Sequence, residues 1–317
     1  MKNNWIKKGL IYKPNGELEW SVSHAQLPVA DHLQKEKIVR VYFSTRNKEG
    51  RSLPAYIDLD ENNLSAILGI SKQPILPLGE LGTFDDCGVM PSWLVNHQGK
   101  KYLYYIGWNV RNTIPYHNAV GLAISEDEGK TFHKFSNGPL WERDYKEPHY
   151  SGSTCVLIDE NGIWRNWYLS CTEWRMVNDK AEPRYHIKYA ESSDGINWER
   201  KGKVAIEYKN GNEAGIVKAS VIKDGNLYRM WYSFRNFQNY RTDKNNSYRI
   251  GYAESADGMN WKREDENAGI TVSAEGWDSE MIEYPHVIDL NGKRIMFYNG
   301  NGFGKSGFGY AEAAVKQ

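Results

Sequence analysis

Net charge is the first thing the sequence lacks. Forty Lys and Arg are matched by forty Asp and Glu. That balance argues against a chain built to grip a nucleic-acid backbone, because such domains carry a basic excess. No run approaches 18 consecutive apolar residues, so no membrane helix is expected. The N-terminal Met1-Lys2-Asn3-Asn4-Trp5-Ile6-Lys7-Lys8 is charged but has no apolar stretch behind it, so no secretory signal is expected either. Cysteine is scarce. Cys87, Cys155 and Cys171 are odd in number and fit no zinc spacing, so they read as reduced thiols of a cytoplasmic protein, packed as small hydrophobes. No metal-ligand spacing is present, and nothing calls for a cofactor. Helical periodicity is weak, with one candidate helix around Leu64-Ser65-Ala66-Ile67. No linker rich in Pro, Gly or Ser divides the chain, so residues 1–317 are expected to form a single domain.

Aromatic residues are abundant instead: 12 Trp, 21 Tyr and 9 Phe, or 13% of the chain. This favours many short β-strands and a surface able to stack on flat ligands such as sugars. The aromatics also repeat. Val41-Tyr42-Phe43-Ser44, Tyr104-Tyr105-Ile106-Gly107, Trp167-Tyr168-Leu169-Ser170, Met230-Trp231-Tyr232-Ser233 and Met296-Phe297-Tyr298-Asn299 end at steps of 63, 63, 63 and 66 residues. A second motif keeps the beat: Tyr189-Ala190-Glu191-Ser192-Ser193-Asp194-Gly195 matches Tyr252-Ala253-Glu254-Ser255-Ala256-Asp257-Gly258. Asp-Gly between apolar runs is a hairpin signal. Each unit reads as four antiparallel strands, so the chain is expected to be all-β, a five-bladed β-propeller with a repeat of about 63 residues. A solenoid of all-β units is the alternative.

In a propeller the first strands line the central channel, and the segments leading into them gather at one mouth. Anchored on the aromatic strand, the equivalent positions are Pro28, Pro91, Thr154, Ala219 and Pro285. The stretches before them carry His24 and Gln26, Asp85 and Asp86, Glu147 and His149, Glu213 and Lys218, and Asp278, Glu280 and Glu283. Such a carboxylate cluster suits glycosidic chemistry, in which one acid protonates the leaving oxygen and a second carboxylate activates water or attacks carbon. Trp108 and His117, with Arg46, Arg175 and Arg235 after the second strands, complete the expected mouth, the arginines being able to bind carboxylate, phosphate or sugar hydroxyls. The arginines also read as braces between loops.

Phe84-Asp85-Asp86-Cys87-Gly88-Val89-Met90-Pro91-Ser92, Arg249-Ile250-Gly251-Tyr252-Ala253-Glu254-Ser255 and Trp277-Asp278-Ser279-Glu280-Met281-Ile282-Glu283-Tyr284-Pro285 resemble the five-bladed propeller superfamily of glycoside hydrolase families 43, 62, 32, 68, 117 and 130. The likeness is greatest to glycosidase-like proteins of polysaccharide gene clusters. It spans essentially the whole chain, and is specific for fold and weak for reaction. It implies catalytic acids on the innermost strands of the first three blades. This sequence departs from that pattern. Leu27 stands where the resemblance places an Asp before the first Pro, and Met90 is its counterpart in the second unit. The acids to be expected are therefore Asp86 and Glu283, supported by Asp85, Glu280 and Glu147.

Two look-alikes are set aside. Ser125-Glu126-Asp127-Glu128-Gly129-Lys130-Thr131-Phe132 resembles the Asp-box of sialidase propellers, a structural hairpin. Gly300-Asn301-Gly302-Phe303-Gly304-Lys305-Ser306 is one residue short of a P-loop and joins two strands. The expected partner is a carbohydrate, with no nucleic acid and no membrane. The expected function is cleavage of a glycosidic bond by hydrolysis or phosphorolysis. A non-catalytic sugar-binding propeller in polysaccharide synthesis is the competing reading.

Overall fold

The computed structural model describes residues 3–315. Met1, Lys2, Lys316 and Gln317, which belong to the expected domain 1–317, lie outside the described residues. The chain is all-β. β1 (Ile6–Tyr12) is followed by a meander of β2 (Ser23–Leu33), β3 (Ile38–Arg46), β4 (Ser52–Asp60) and β5 (Asn63–Ile70). A second run is β6 (Gly88–His97), β7 (Lys100–Val110), β8 (Tyr116–Ser125) and β9 (His133–Lys134). A third is β10 (Ser151–Ile158), β11 (Trp164–Val177), β12 (Lys180–Ser192) and β13 (Glu199–Ile206). A fourth is β14 (Glu213–Asp224), β15 (Leu227–Asn236), β16 (Arg249–Ser255) and β17 (Lys262–Arg263). Finally β18 (Glu283–Leu290), β19 (Lys293–Asn299) and β20 (Phe308–Ala314) are completed by β1, which pairs with β20. Single parallel bridges, Ser52 to Gly88 and Tyr185 to Gly215, join the runs pairwise into two larger sheets.

Two expectations are corrected. Residues 64–67 are part of strand β5, where Leu64 is buried in the core and Ile67 pairs with Leu59, not a helix. An edge strand with one inward apolar residue has too weak an alternation to declare itself in sequence. The last run takes its outer strand from the N-terminus, which the repeat alone did not reveal.

The first strands β2, β6, β10, β14 and β18 each pack against the next, and β18 packs back against β2. Each carries one extra residue at the same place. The spans from Gln26 to Ala30, Val89 to Trp93, Ser151 to Cys155, Val217 to Val221 and Glu283 to Val287 each oppose one residue fewer on the partner strand. Such a bulge bends a strand and re-aims its side chains. By this register the third-unit counterpart of Pro28 is Ser153, not Thr154. Seryl groups lock neighbouring first strands: Thr154 N–H donates to Ser92 Oγ (2.8 Å), Lys218 N–H to Ser153 Oγ (3.0 Å) and Val287 N–H to Ser220 Oγ (2.8 Å).

The glycine hairpins, Asp-Gly at 194–195 and 257–258 and Glu-Gly at 128–129, fasten one run to another. Tyr104 Oη donates to Gly195 O (2.6 Å), Trp167 Nε1 to Gly258 O (2.8 Å) and Tyr42 Oη to Gly129 O (3.2 Å). Those glycines have φ of 73°, 75° and 77°, a left-handed turn that a side chain would strain. Asp194 holds its turn by accepting the N–H groups of Ile196 and Asn197 (both 2.8 Å). Burial alone would raise its carboxyl, but these bonds outweigh that and bring it down to about 2. Trp167 and Trp231 are fully buried, and each such ring contributes roughly 1.5–3 kcal/mol or more. No helix among the described residues is long and apolar enough to cross a membrane.

Candidate functional site

The upper halves of the first strands open into a cavity of about 450 Å³. Leu27, Met90, Gly152, Val217 and Tyr284 form its floor, placed there by the bulges. Leu27 and Tyr284 adopt φ of 55° and 54°, which turns their side chains out of the strand alternation. Lys218, at the equivalent bulge of β14 with φ of 55°, lies below the floor instead. It is fully buried, its Nζ stands 5.0 Å from the Trp93 ring, and burial brings its ammonium down to about 8.

The wall is aromatic. Tyr116, Tyr150, Tyr185, Tyr240, Tyr248 and Tyr284 line it, with Trp108 and Phe303. Ring centroids lie 5.7 Å apart for Tyr116–Tyr150, 6.3 Å for Tyr150–Tyr185 and 5.9 Å for Tyr248–Tyr284. Tyr185 and Tyr248, one repeat apart, hydrogen-bond through their hydroxyls. Arg235 sits behind them, 1% exposed, with its guanidinium 3.7 Å from the Tyr240 ring and Nε 3.3 Å from both hydroxyls. It is a brace for the wall rather than a ligand contact. Burial raises the Tyr150, Tyr248 and Tyr284 phenols well above 10, so they stay protonated at neutral pH.

The cavity brings together four of the expected residues: His24, Gln26, Arg46 and Trp108. His24 bonds Ser23 Oγ (2.9 Å); burial, then Arg46 and Lys305, push its imidazole down to about 4, so it is neutral at pH 7. Gln26 donates to Phe303 O, while its Oε1 is buried without a partner. The remaining lining charges are Arg46 and Arg241; among the described residues no Asp or Glu lines the cavity.

The expected acids lie elsewhere. Asp85 accepts from Tyr105 Oη (3.0 Å) and pairs with Lys134 of β9 (2.7 Å). Glu147 accepts from Tyr168 Oη (2.9 Å) and pairs with Lys188 (2.8 Å) and with Arg200 of β13 (2.7 Å). Asp278 accepts from Tyr298 Oη (3.0 Å) and pairs with Lys7 of β1 (2.6 Å). Glu213 binds Arg263 of β17 through both oxygens (2.6 Å each), and Arg263 also reaches Asp265, which accepts from Tyr232 Oη (2.5 Å). The set is one recurring brace: a buried carboxylate tied to a second-strand tyrosine, directly or through Asp265, and to a base on the outermost strand. Asp86 caps the Gly82 N–H (2.9 Å) and Glu280 is solvent-exposed. His117 is buried against Glu142 (3.2 Å), because strand alternation sends Tyr116 and Asn118 to the cavity and His117 away from it. Arg175 pairs with Glu173 at the surface (2.6 Å), and His149 is half-buried in the segment before β10.

Glu283 is different. It is fully buried at the start of β18, next to Tyr284, and neither carboxyl oxygen has a hydrogen-bond partner. Burial raises it well above 4.5, a shift that the neighbouring Tyr284, and then Arg235 and Arg241, only partly offset. Arg46, expected among the arginines after the second strands, does line the cavity, whereas sequence reasoning missed the tyrosine wall and Arg241. The available signal was Tyr185 and Tyr248, separated by one repeat, each near the start of a third strand. Among the described residues no group of His, Cys, Asp or Glu is arranged to hold a metal ion.

No sequence-family model matches the chain. The uncharacterized protein Rv1502 of Mycobacterium tuberculosis (strain ATCC 25618 / H37Rv) is 39% identical over 307 residues, 97% of this chain and 98% of that one. A glycosyl hydrolase from Bacteroides ovatus superposes with a TM-score of 0.73 at 16% identity, over 100% of this chain and 95% of that one. A thermostable family-43 glycoside hydrolase gives 0.65 at 16% identity, over 92% and 89%. A structure from work on the GH130 family of mannoside phosphorylases gives 0.67 at 16% identity, over 100% and 97%. The chain belongs to one family with Rv1502 and has the fold of the glycoside hydrolase-like β-propeller superfamily.

Proposed function

We propose that residues 1–317 form one five-bladed propeller of about 63 residues per blade that binds a carbohydrate in the tyrosine-lined cavity. The five four-stranded runs, the closed circuit of first strands and the common bulge support the blade count. The three cysteines, all unpaired, favour a cytoplasmic setting.

The wall carries the ligand assignment. Six tyrosines offer rigid apolar faces with hydroxyl tips in a concave space of about 450 Å³. A sugar ring, with C–H faces and peripheral hydroxyls, matches that surface. Both common geometries of glycosidic hydrolysis place two carboxyl groups across the bond. With Leu27 and Met90 on the floor and no carboxylate in the lining, binding without cleavage is the favoured reading. Glu283 favours a second reading, hydrolysis or phosphorolysis, because a carboxyl kept uncharged by burial is suited to act as a general acid.

The test is calorimetric titration with a panel of mono- and oligosaccharides, alongside assays for released sugar with and without inorganic phosphate. The expected result is saturable binding, weakened about tenfold by Tyr116→Ala, with no sugar released. Turnover abolished by Glu283→Gln would replace this reading with the second. Failure of every carbohydrate to bind would overturn both.

A further inference from the structure

Several arginines buried elsewhere in the fold are neutralised by carboxylates, whereas Arg235 is satisfied by tyrosine hydroxyls and backbone carbonyls. Arg40 forks onto Asp58 (2.7 and 2.8 Å), Arg263 onto Glu213, and Arg294 onto Asp224 and Asp289 (2.6 and 2.8 Å). Arg46, at the end of β3, departs from that pattern. It lines the cavity, its Nε is buried without a hydrogen-bond partner, and it pairs with no carboxylate among the described residues. Burial works against its charge, Tyr284 partly offsets that, and the neighbouring Arg241 adds repulsion. Arg241 faces the same cavity, stacked on Tyr240 (4.6 Å) and Phe303 (5.2 Å), and Glu182 meets only its Nε, at 3.3 Å. Lys305 adds a third positive charge near His24. A desolvated cation without a counter-ion is costly unless a ligand supplies one.

We infer that the carbohydrate bound here is acidic, its carboxylate or phosphate seated on Arg46 and Arg241 while its ring lies on the tyrosines. This rests on the carbohydrate reading of the same cavity and names the class of sugar. A guanidinium matches either oxyanion through paired N–H donors. The unpartnered Oε1 of Gln26 is free to accept from a sugar hydroxyl.

The experiment compares binding of glucose, glucuronic acid, glucose 1-phosphate and inorganic phosphate, with the same series in galactose, to the full chain and to Arg46→Gln and Arg241→Gln. The acidic sugars should bind about 10–100-fold more tightly than their neutral parents, the range expected for hydrogen bonds to a charged group. Arg46→Gln should weaken the acidic sugars at least about tenfold more than their neutral parents, removing the preference. Arg241→Gln, at a half-exposed site, should reduce the preference without risk to folding. The uronic-acid and phosphate arms separate the two oxyanions. Equal affinity for neutral and acidic sugars, or equal weakening of both in Arg46→Gln, overturns the inference and leaves the carbohydrate reading standing. Binding of inorganic phosphate that Arg46→Gln abolishes, with no sugar bound, overturns the carbohydrate reading and keeps the anion site. No binding of any of these probes overturns both.

Discussion

At the rim of the fold, Glu147 holds Lys188, Arg200 and Tyr168, and Asp85 and Asp278 hold similar sets. At the cavity, Arg46 and Arg241 face six tyrosines with no lining carboxylate. The same residue types are thus closed into neutral braces in one region and left open in the other. A carboxylate that finds a tyrosine hydroxyl and a base has spent its hydrogen-bonding capacity on the fold. A half-buried guanidinium that pairs with no carboxylate, as at Arg46, keeps that capacity for a ligand. Charge completeness, more than the presence of acids, separates scaffold from site here.

The largest effect that would sharpen this contrast is on stability. Glu147→Ala leaves Lys188 without its carboxylate and Arg200 with Asp144 alone, and should lower unfolding free energy by about 3 kcal/mol in denaturant titration. Sugar affinity of the folded protein should be unchanged; a selective loss of affinity would place Glu147 in the site. Tyr116→Ala should do the reverse, weakening sugar binding about tenfold with little change in melting temperature.

A smaller effect concerns Glu283. Its folded carboxyl binds its proton more tightly than the unfolded one, so the stability it contributes is present below about pH 4.5 and declines as pH rises. Glu283→Gln lacks that decline. Its melting temperature should gain on the wild type steadily from pH 4 to pH 8, and a constant gap would show that Glu283 is ionised in the fold. The smallest effect is at the hairpins. Asp194→Asn should cost about 1 kcal/mol at pH 7. Because Asp194 sits at about 2 against an ordinary 3.8, its contribution is complete above about pH 4 and fades as pH falls toward 2. The gap between variant and wild type should therefore narrow between about pH 4 and pH 2.

The 63-residue beat made the fold legible. Tyrosines 105 and 168 and the Asp-Gly turns at 194 and 257 recur because each unit rebuilds the same strand contacts and the same docking turn. The strand at residues 6–12 escaped notice because it completes a run begun at the other end of the chain. The site was less legible for a related reason. Asp85, Glu147, Glu213 and Asp278 recur as conspicuously as any catalytic set, but their partners, Lys134, Arg200, Arg263 and Lys7, arrive from strands about 50 residues away or from the far terminus. Only the register of the bulges shows that Leu27, Met90 and Tyr284 turn toward the cavity.

A crystal structure of the protein soaked with the tightest-binding sugar tests the central claim most directly. The account predicts the ring against Tyr116, Tyr150, Tyr185, Tyr248 and Tyr284, its acidic group on Arg46, and no pair of carboxylates across its anomeric carbon. A ring held between two carboxyl groups at about 5 Å or roughly 6.5–9.5 Å, with Glu283 or Asp86 as one of them, would contradict it.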